Sequence, residues 1–313
     1  MRQIFVNLKR FDIPRNRGGL CPENNPITWI ESVIKQTIDL GLGQLPHLSL
    51  TYLLPEGLIH AGQSILSSFP DELKNGMAIG CQGVHWEDIQ PGKNFGAFTT
   101  SLPASAAKAL GSQWAIIGHS EERKSKMSII HEFDTSIDKD EVALLRARQA
   151  VNHLIGREVG FGLAAGLKVL LCVGETEDER GNGSFDNQKP RIKSVLKEQL
   201  LEGLSVVAES GDLESVVIGY EPVWAIGPGK ISPGKDYIAY VSSMIKEIIR
   251  ETKKGELSVV YGGGLKEENA GMIASIPTID GGLVALTRFS GEIGFYVQDL
   301  KAIVDQYLAS DRK

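Results

Sequence analysis

The sequence predicts a (β/α)8 barrel, a closed parallel sheet of eight strands ringed by helices. Three observations carry that expectation. Short runs rich in Val, Ile and Leu recur along the 313 residues, and a helix-like pattern follows each one. The runs lack strict polar alternation, as parallel strands covered on both faces do. No Gly-x-Gly-x-x-Gly follows the first run, which counts against an open dinucleotide-binding sheet.

The strands are read at Ile4–Asn7, Leu48–Leu53, Met77–Cys81, Trp114–Gly118, Lys168–Cys172, Val216–Tyr220, Ser258–Tyr261 and Ile279–Leu286. The first helix, Ile27–Leu42, follows Asn25-Pro26, a cap followed by a proline suited to the first helical turn. The other helices are placed at Gly57–Ser68, Ala104–Leu110, Glu141–Gly166, Arg191–Ser210, Tyr237–Lys254, Glu267–Ser275 and Val297–Ala309. One barrel domain over residues 1–313 follows, since no linker or low-complexity tract divides the chain. The length exceeds the ~250 residues of a plain barrel. The surplus is assigned to insertions near 10–25, 124–140 and 288–298, each following a strand's C-terminal end. The middle one, Lys124–Asp140, is charged and reads as a solvated surface excursion.

Hydrophobic residues make up 42% of the chain, enough for a substantial core. Lys and Arg total 33 against 39 Asp and Glu, a net charge of −6. That balance argues against a general nucleic-acid or membrane surface. No run of about 18 apolar residues indicates a membrane span, and Met1–Asn7 enters a strand with no signal peptide before it. Cys21, Cys81 and Cys172 are widely spaced, with no metal-type pairing. Cys81 and Cys172 end apolar strands and read as buried thiols, which fits a reducing cytoplasm. Asn182-Gly183-Ser184 is read as a turn rather than a glycosylation site.

Candidate chemistry gathers at strand ends. Glu221 ends the run Val216–Tyr220 and is followed at once by Pro222, then by Val223-Trp224-Ala225-Ile226-Gly227. A carboxylate on a rigid strand end, continued by a loop with stiff and pliable hinges, suits proton abstraction beneath a lid. Trp224 and Ile226 can seal a small cavity, and backbone N–H groups near Gly227 can close on a phosphate. His119 follows the fourth strand and should face the barrel mouth, with a short helix after it. The dipole of that helix would disfavour the imidazolium and leave a neutral, hydrogen-bond-donating ring. Ser120 and Glu121 are read as supporting groups that orient nearby cations. Asn7 and Lys9, two residues apart at the end of the first strand, can both face the mouth. There the lysine would stabilise an anionic substrate and a developing enediolate.

Taken together these motifs resemble the triosephosphate isomerase family from about residue 3 to 286. Tyr220–Gly227 is similar to its base-and-lid motif and Ile117-Gly118-His119-Ser120-Glu121 to its histidine motif. Phe5-Val6-Asn7-Leu8-Lys9 is similar to its first-strand motif, with Leu8 in place of Trp. Gly96-Ala97-Phe98-Thr99, Cys172–Thr176 and Tyr261-Gly262-Gly263 resemble its third loop and the ends of its fifth and seventh strands. The resemblance implies Glu221 as the base, His119 as the neutral electrophile, and Lys9 with Asn7 as the electrostatic pocket. It implies no metal and no organic cofactor, a place in glycolysis and gluconeogenesis, and a homodimer docked through the third loop. Thr100-Ser101-Leu102-Pro103 departs from that loop's usual continuation.

The other departures cluster on the phosphate side. Gly264 stands where the family has a serine, and Ala285-Leu286 where it has two glycines. Glu122 stands where the family commonly carries arginine. An anion site rebuilt from Gly227, Gly263, Gly264, Thr287 and Arg288 is one expectation, with Arg288 offering a bidentate fork. A shifted substrate is the other. The implied partner is a small phosphorylated sugar, by default glyceraldehyde 3-phosphate and dihydroxyacetone phosphate. A tetrulose phosphate is the runner-up, and a barrel that binds without catalysis is the contrasting reading.

Overall fold

The computed structural model describes residues 1–207, 213–227, 229–253, 255–289 and 291–310. The strands are β1 (Arg2–Asn7), β2 (Leu48–Leu54), β3 (Met77–Cys81), β4 (Trp114–Ile117), β5 (Lys168–Val173), β6 (Val216–Tyr220), β7 (Ser258–Tyr261) and β8 (Gly281–Val284). They pair in parallel in chain order, and β1 closes on β8 with Gln3 opposite Gly281. The result is the (β/α)8 barrel read from the sequence.

The helices are α1 (Pro26–Asp39), α2 (Glu56–Ser67), α3 (Asp71–Lys74), α4 (Ala104–Ala109), α5 (Ser120–Phe133) and α6 (Glu141–Ala164). They continue with α7 (Glu177–Arg180), α8 (Phe185–Gly203), α9 (Lys235–Lys253), α10 (Glu267–Ala274) and α11 (Val297–Ala309). Asn25 caps α1 by accepting from the Ile27 N–H, with Pro26 at the first helical position. Asp140 caps α6 in the same way through Val142 and Ala143.

Side chains alternate along each strand and divide the core into two layers. Ile4 and Val6 point outward to the helices, while Phe5 joins Leu53, Trp114, Ile116, Leu170, Val217, Val260 and Leu283 inside the barrel. Phe5 meets Trp114 edge to face, with ring centroids 5.0 Å apart. Continuing the inward series of β1 from Phe5 gives Asn7 and Lys9. Continuing that of β6 from Val217 gives Gly219 and Glu221. The period of two thus lifts these polar residues directly above the apolar plug, at the C-terminal rim.

The structure adds the short helices α3 and α7, which the sequence reading did not place, and three further segments differ from expectation. The helix expected at Arg191–Ser210 begins earlier, at Phe185, and ends at Gly203. Pro190 is tolerated within its early turns rather than marking the boundary. Positions 208–210 of the expected helix lie outside the described residues, as does Lys254. The last strand covers only Gly281–Val284 of Ile279–Leu286, and Asp280 just before it also ties its neighbours together by its side chain. Its carboxylate accepts from the Val259 N–H and from Lys246. The Lys124–Asp140 stretch is largely helical, continuing α5 to Phe133 and adding a 3-10 turn at Thr135–Asp138. Ile129 and Phe133 are exposed on it.

Candidate active site

Glu221 follows β6 and is only 2% exposed. Its slot exists because its neighbours carry no side chain. A Cβ added at Gly174, beyond β5, would lie 1.7 Å from the Glu221 carbonyl oxygen, and one at Gly262, beyond β7, 2.7 Å from Glu221 Cγ. One carboxylate oxygen, Oε2, accepts the Ser120 N–H at 3.0 Å. The other, Oε1, lies 3.2 Å from His119 Nε2.

His119 is the N-cap of α5, a longer helix than the short one expected. Its Nδ1 accepts the Glu121 backbone N–H at 3.4 Å. An Nδ1 that accepts leaves the ring proton on Nε2 when the imidazole is neutral. The ring therefore presents a donor toward Glu221 and the pocket.

Lys9 holds φ at +21°, a backbone region that non-glycine residues enter only at some cost. Two contacts keep it there. Asn7 Oδ1 accepts the Lys9 N–H at 3.1 Å, and Lys9 Nζ reaches Glu121 Oε1 at 2.7 Å. Burial tends to raise the Glu121 carboxyl, but the bond to Lys9 and its charge hold it below the usual range. The structure thus joins Asn7, Lys9, Glu121, His119, Ser120 and Glu221 in one connected chain of polar contacts.

Burial pushes the Glu221 carboxyl up, against the pull of His119, the Ser120 N–H and Arg123. A raised carboxyl favours the protonated form in the fold. Its contribution to stability is largest below the ordinary glutamate value of about 4.3 and is lost as pH rises through the folded value. If Glu221 is the base that the sequence reading expects, activity runs the opposite way, because a base must be ionised. The acid limb of kcat/KM is therefore expected at a midpoint above about 4.3, measured as a pH–rate profile of the free enzyme.

The segment read from the sequence as a lid begins at Pro222 with a 3-10 turn over Val223–Ala225. Trp224 Nε1 donates to Glu175 Oε1 at 2.8 Å, and the same oxygen accepts from Tyr237 at 2.7 Å and Tyr220 at 3.1 Å. The Arg180 guanidinium lies over the Trp224 ring at 3.8 Å. Beside the lid a cleft of about 1150 Å³ opens, with Lys9, Glu121, His131, Arg148, Ile226 and Gly227 among its lining.

A family model described as "Triosephosphate isomerase" matches residues 55–293. The chain belongs to the triosephosphate isomerase family. The triosephosphate isomerase of Oleidesulfovibrio alaskensis is 33% identical over 220 residues, 69% of this chain and 74% of that protein. That of Chlorobium luteolum is 36% identical over 214 residues, 67% and 70% of the two chains. The crystal structure of triosephosphate isomerase from Bartonella henselae superposes with a TM-score of 0.64 over 98% of this chain and 99% of that one. At 21% identity this likeness speaks for the fold.

The family's phosphate side is where the geometry departs most from the sequence expectation. Gly227, Gly263, Gly264, Thr287 and Arg288 all follow the C-terminal ends of β6, β7 and β8. A Cβ added at Gly227 or Gly264 would meet nothing within 4 Å, so the space above both is open. Thr287 and Arg288, however, are already engaged. Arg288 forks onto Asp299 through Nε at 2.7 Å and a terminal nitrogen at 3.0 Å, and stacks on Tyr296 at 3.9 Å. The Thr287 hydroxyl donates to Asp299 at 3.2 Å and accepts the Tyr296 N–H at 2.9 Å. Leu286 packs partly against the core.

The sequence reading missed Gln82. Its amide, just past β3, donates to Asn7 Oδ1 at 3.0 Å, Lys9 O at 3.1 Å and Leu53 O at 3.2 Å. It buttresses the loop that carries Lys9. A polar residue directly after the apolar strand Met77–Cys81 was the available signal. Glu175, as the anchor of the lid tryptophan, was missed as well. No helix among the described residues is long and apolar enough to cross a membrane.

Proposed function

We propose that this chain interconverts the aldose and ketose forms of a small sugar phosphate, D-glyceraldehyde 3-phosphate and dihydroxyacetone phosphate. Family membership makes it an aldose–ketose isomerase. The observation that carries the assignment of roles is the 3.2 Å approach of the Glu221 carboxylate to His119 Nε2, with the lid attached directly to the base. In this reading the substrate inserts between the two. Its carbonyl oxygen accepts the Nε2–H, and the neighbouring carbon lies against the carboxylate. Glu221 leaves the Ser120 N–H, removes the proton from that carbon and returns it to the adjacent one, while the hydroxyl proton of the first carbon passes by way of His119 Nε2 to the former carbonyl oxygen. His119 stabilises the enediolate oxygen as a neutral donor and Lys9 as a cation, and Asn7 holds the loop. The pairing of a glutamate base with a neutral histidine is that of triosephosphate isomerase itself. Closure of Trp224 and Ile226 excludes water.

The phosphate is read onto backbone groups near Gly227, Gly263 and Gly264. Thr287 and Arg288 contribute only by releasing Asp299. A tetrulose phosphate is the second reading, favoured by Ala285, Leu286 and Gly264 on the phosphate side and by the room beside the lid. The test is an isomerase assay across triose, tetrose and pentose phosphates, with solvent deuterium exchange into dihydroxyacetone phosphate. Absence of both turnover and exchange across the panel would sink the assignment in favour of a binding barrel.

We further infer one barrel domain, a homodimer and a cytoplasmic setting. The long loop after β3 carries Phe95 at 90% exposure with φ +50°, followed by Gly96–Pro103. A second copy would cover it. Sedimentation at micromolar concentration is expected to give twice the 34.0 kDa chain mass, and a monomer would count against this. The three cysteines are free and buried, which suits a reducing compartment.

A further inference from the structure

His119 is out of step with the other site residues. Asn7, Lys9 and Glu221 continue the inward series of their strands. On β4 that series runs Trp114, Ile116, Gly118, which leaves His119 on the opposite parity. The chain solves this with a turn: Gly118 takes φ +77°, and the imidazole comes back over the pocket. A Cβ at Gly118 would lie 2.9 Å from the Cys172 carbonyl oxygen, so the turn is also sterically tight.

Both polar ends of Gly118 are held. Its N–H donates to Glu122 Oε2 at 2.7 Å, and its carbonyl accepts from Arg123 Nε at 2.7 Å. Arg123 is fixed in turn, donating to Asn152 Oδ1 at 2.7 Å and to Cys172 O at 3.0 Å. Glu122 is fixed by Lys126, whose Nζ also lies 2.8 Å from Glu158 Oε1 on α6. Glu158 is 2% exposed and the Lys126 side chain 11%. None of these three groups takes part in the proton transfer proposed above.

We infer that Glu122, Lys126 and Glu158 form a positioning network for His119. Glu158 and Lys126 fix the Glu122 carboxylate, and Glu122 fixes the Gly118 turn that aims the imidazole at Glu221. The inference rests on the isomerase reading, in which that aim matters. Charge is consistent with it. Burial beside Glu122 pushes the Glu158 carboxyl well up, so one ammonium balances one carboxylate and the second carboxyl stays neutral. A buried group of this kind holds together only while each member keeps its partners. The acid at position 122 is thus compensated from within α5 and from α6.

The test compares Glu158→Leu with Glu158→Gln, which keeps a donor toward Glu122 and an acceptor toward Lys126. The readouts are kcat, KM and the ring-nitrogen NMR resonances of His119 in the unliganded protein, with folding checked by circular dichroism. Glu158→Leu is expected to lower kcat roughly tenfold with KM changed less than about twofold, and to move the His119 resonances. Glu158→Gln is expected to restore both. Where Glu158→Leu is unstable, Lys126→Met is read in the same way. A folded network variant with unchanged His119 resonances and parental kcat overturns the inference. The ring resonances need no substrate, so a failed isomerase assignment and a failed network give different results.

Discussion

Glu221→Asp is expected to lower kcat by about 100-fold or more while leaving KM within severalfold and the thermal midpoint nearly unchanged. The shorter side chain pulls the carboxylate back by one methylene, and proton transfer is steep in the distance between the base and the carbon. Little else changes. The residue stays acidic, buried and within reach of the Ser120 N–H and His119, which now contact Oε2 and Oε1 at 3.0 and 3.2 Å. The slot between Gly174 and Gly262 accommodates a smaller group without strain. Steady-state kinetics with a parallel thermal melt decides the matter. Turnover at the parental rate would remove Glu221 from the role of base.

Lys9→Met is expected to be comparably severe by a different route. Methionine matches the length of the stem, and although the bond to Glu121 is lost, the backbone contacts of residue 9 with Asn7 and Gln82 remain to hold the loop at φ +21°. What is lost is the cation. Loss of one such stabilising group typically costs about 100- to 1000-fold in kcat, and here KM should rise as well, since an anionic substrate feels the charge before reaction. The ion pair to Glu121 is half in solvent, with side-chain exposures of 32% and 65%, so its removal should cost only about 0–1 kcal/mol of stability. A kcat within tenfold of the parent in a folded variant would mean that Lys9 is not part of the electrostatic pocket.

Much of the candidate site was legible because each part is announced locally. Glu221 sits between an apolar strand and a proline. His119 sits between Trp114–Gly118 and a polar helix start. Lys9 and Asn7 lie two residues apart at a strand end. Gln82 carried only the weak signal of a polar residue after an apolar strand, since its partners Asn7 and Lys9 are over seventy residues away. Arg288 was legible as a cation but not as an engaged one. Its partner Asp299 is brought back by a loop that pairs Arg288 with Gly294. Lys124–Asp140 reads as a surface excursion because charge signals exposure, yet the same residues continue a helix whose inner side borders the cleft.

The sequence alone determined the order of the eight strands and their main helices, the closed-barrel class and the strand ends at which the candidate residues sit, because these follow from periodicity and neighbour chemistry within a few residues. Tertiary structure decided the rest: how near His119 comes to Glu221, which amide supports Lys9, and which acids and lysine stand behind the Gly118 turn. Those depend on barrel closure, which sets side chains from distant strands against one another at distances that no local pattern encodes.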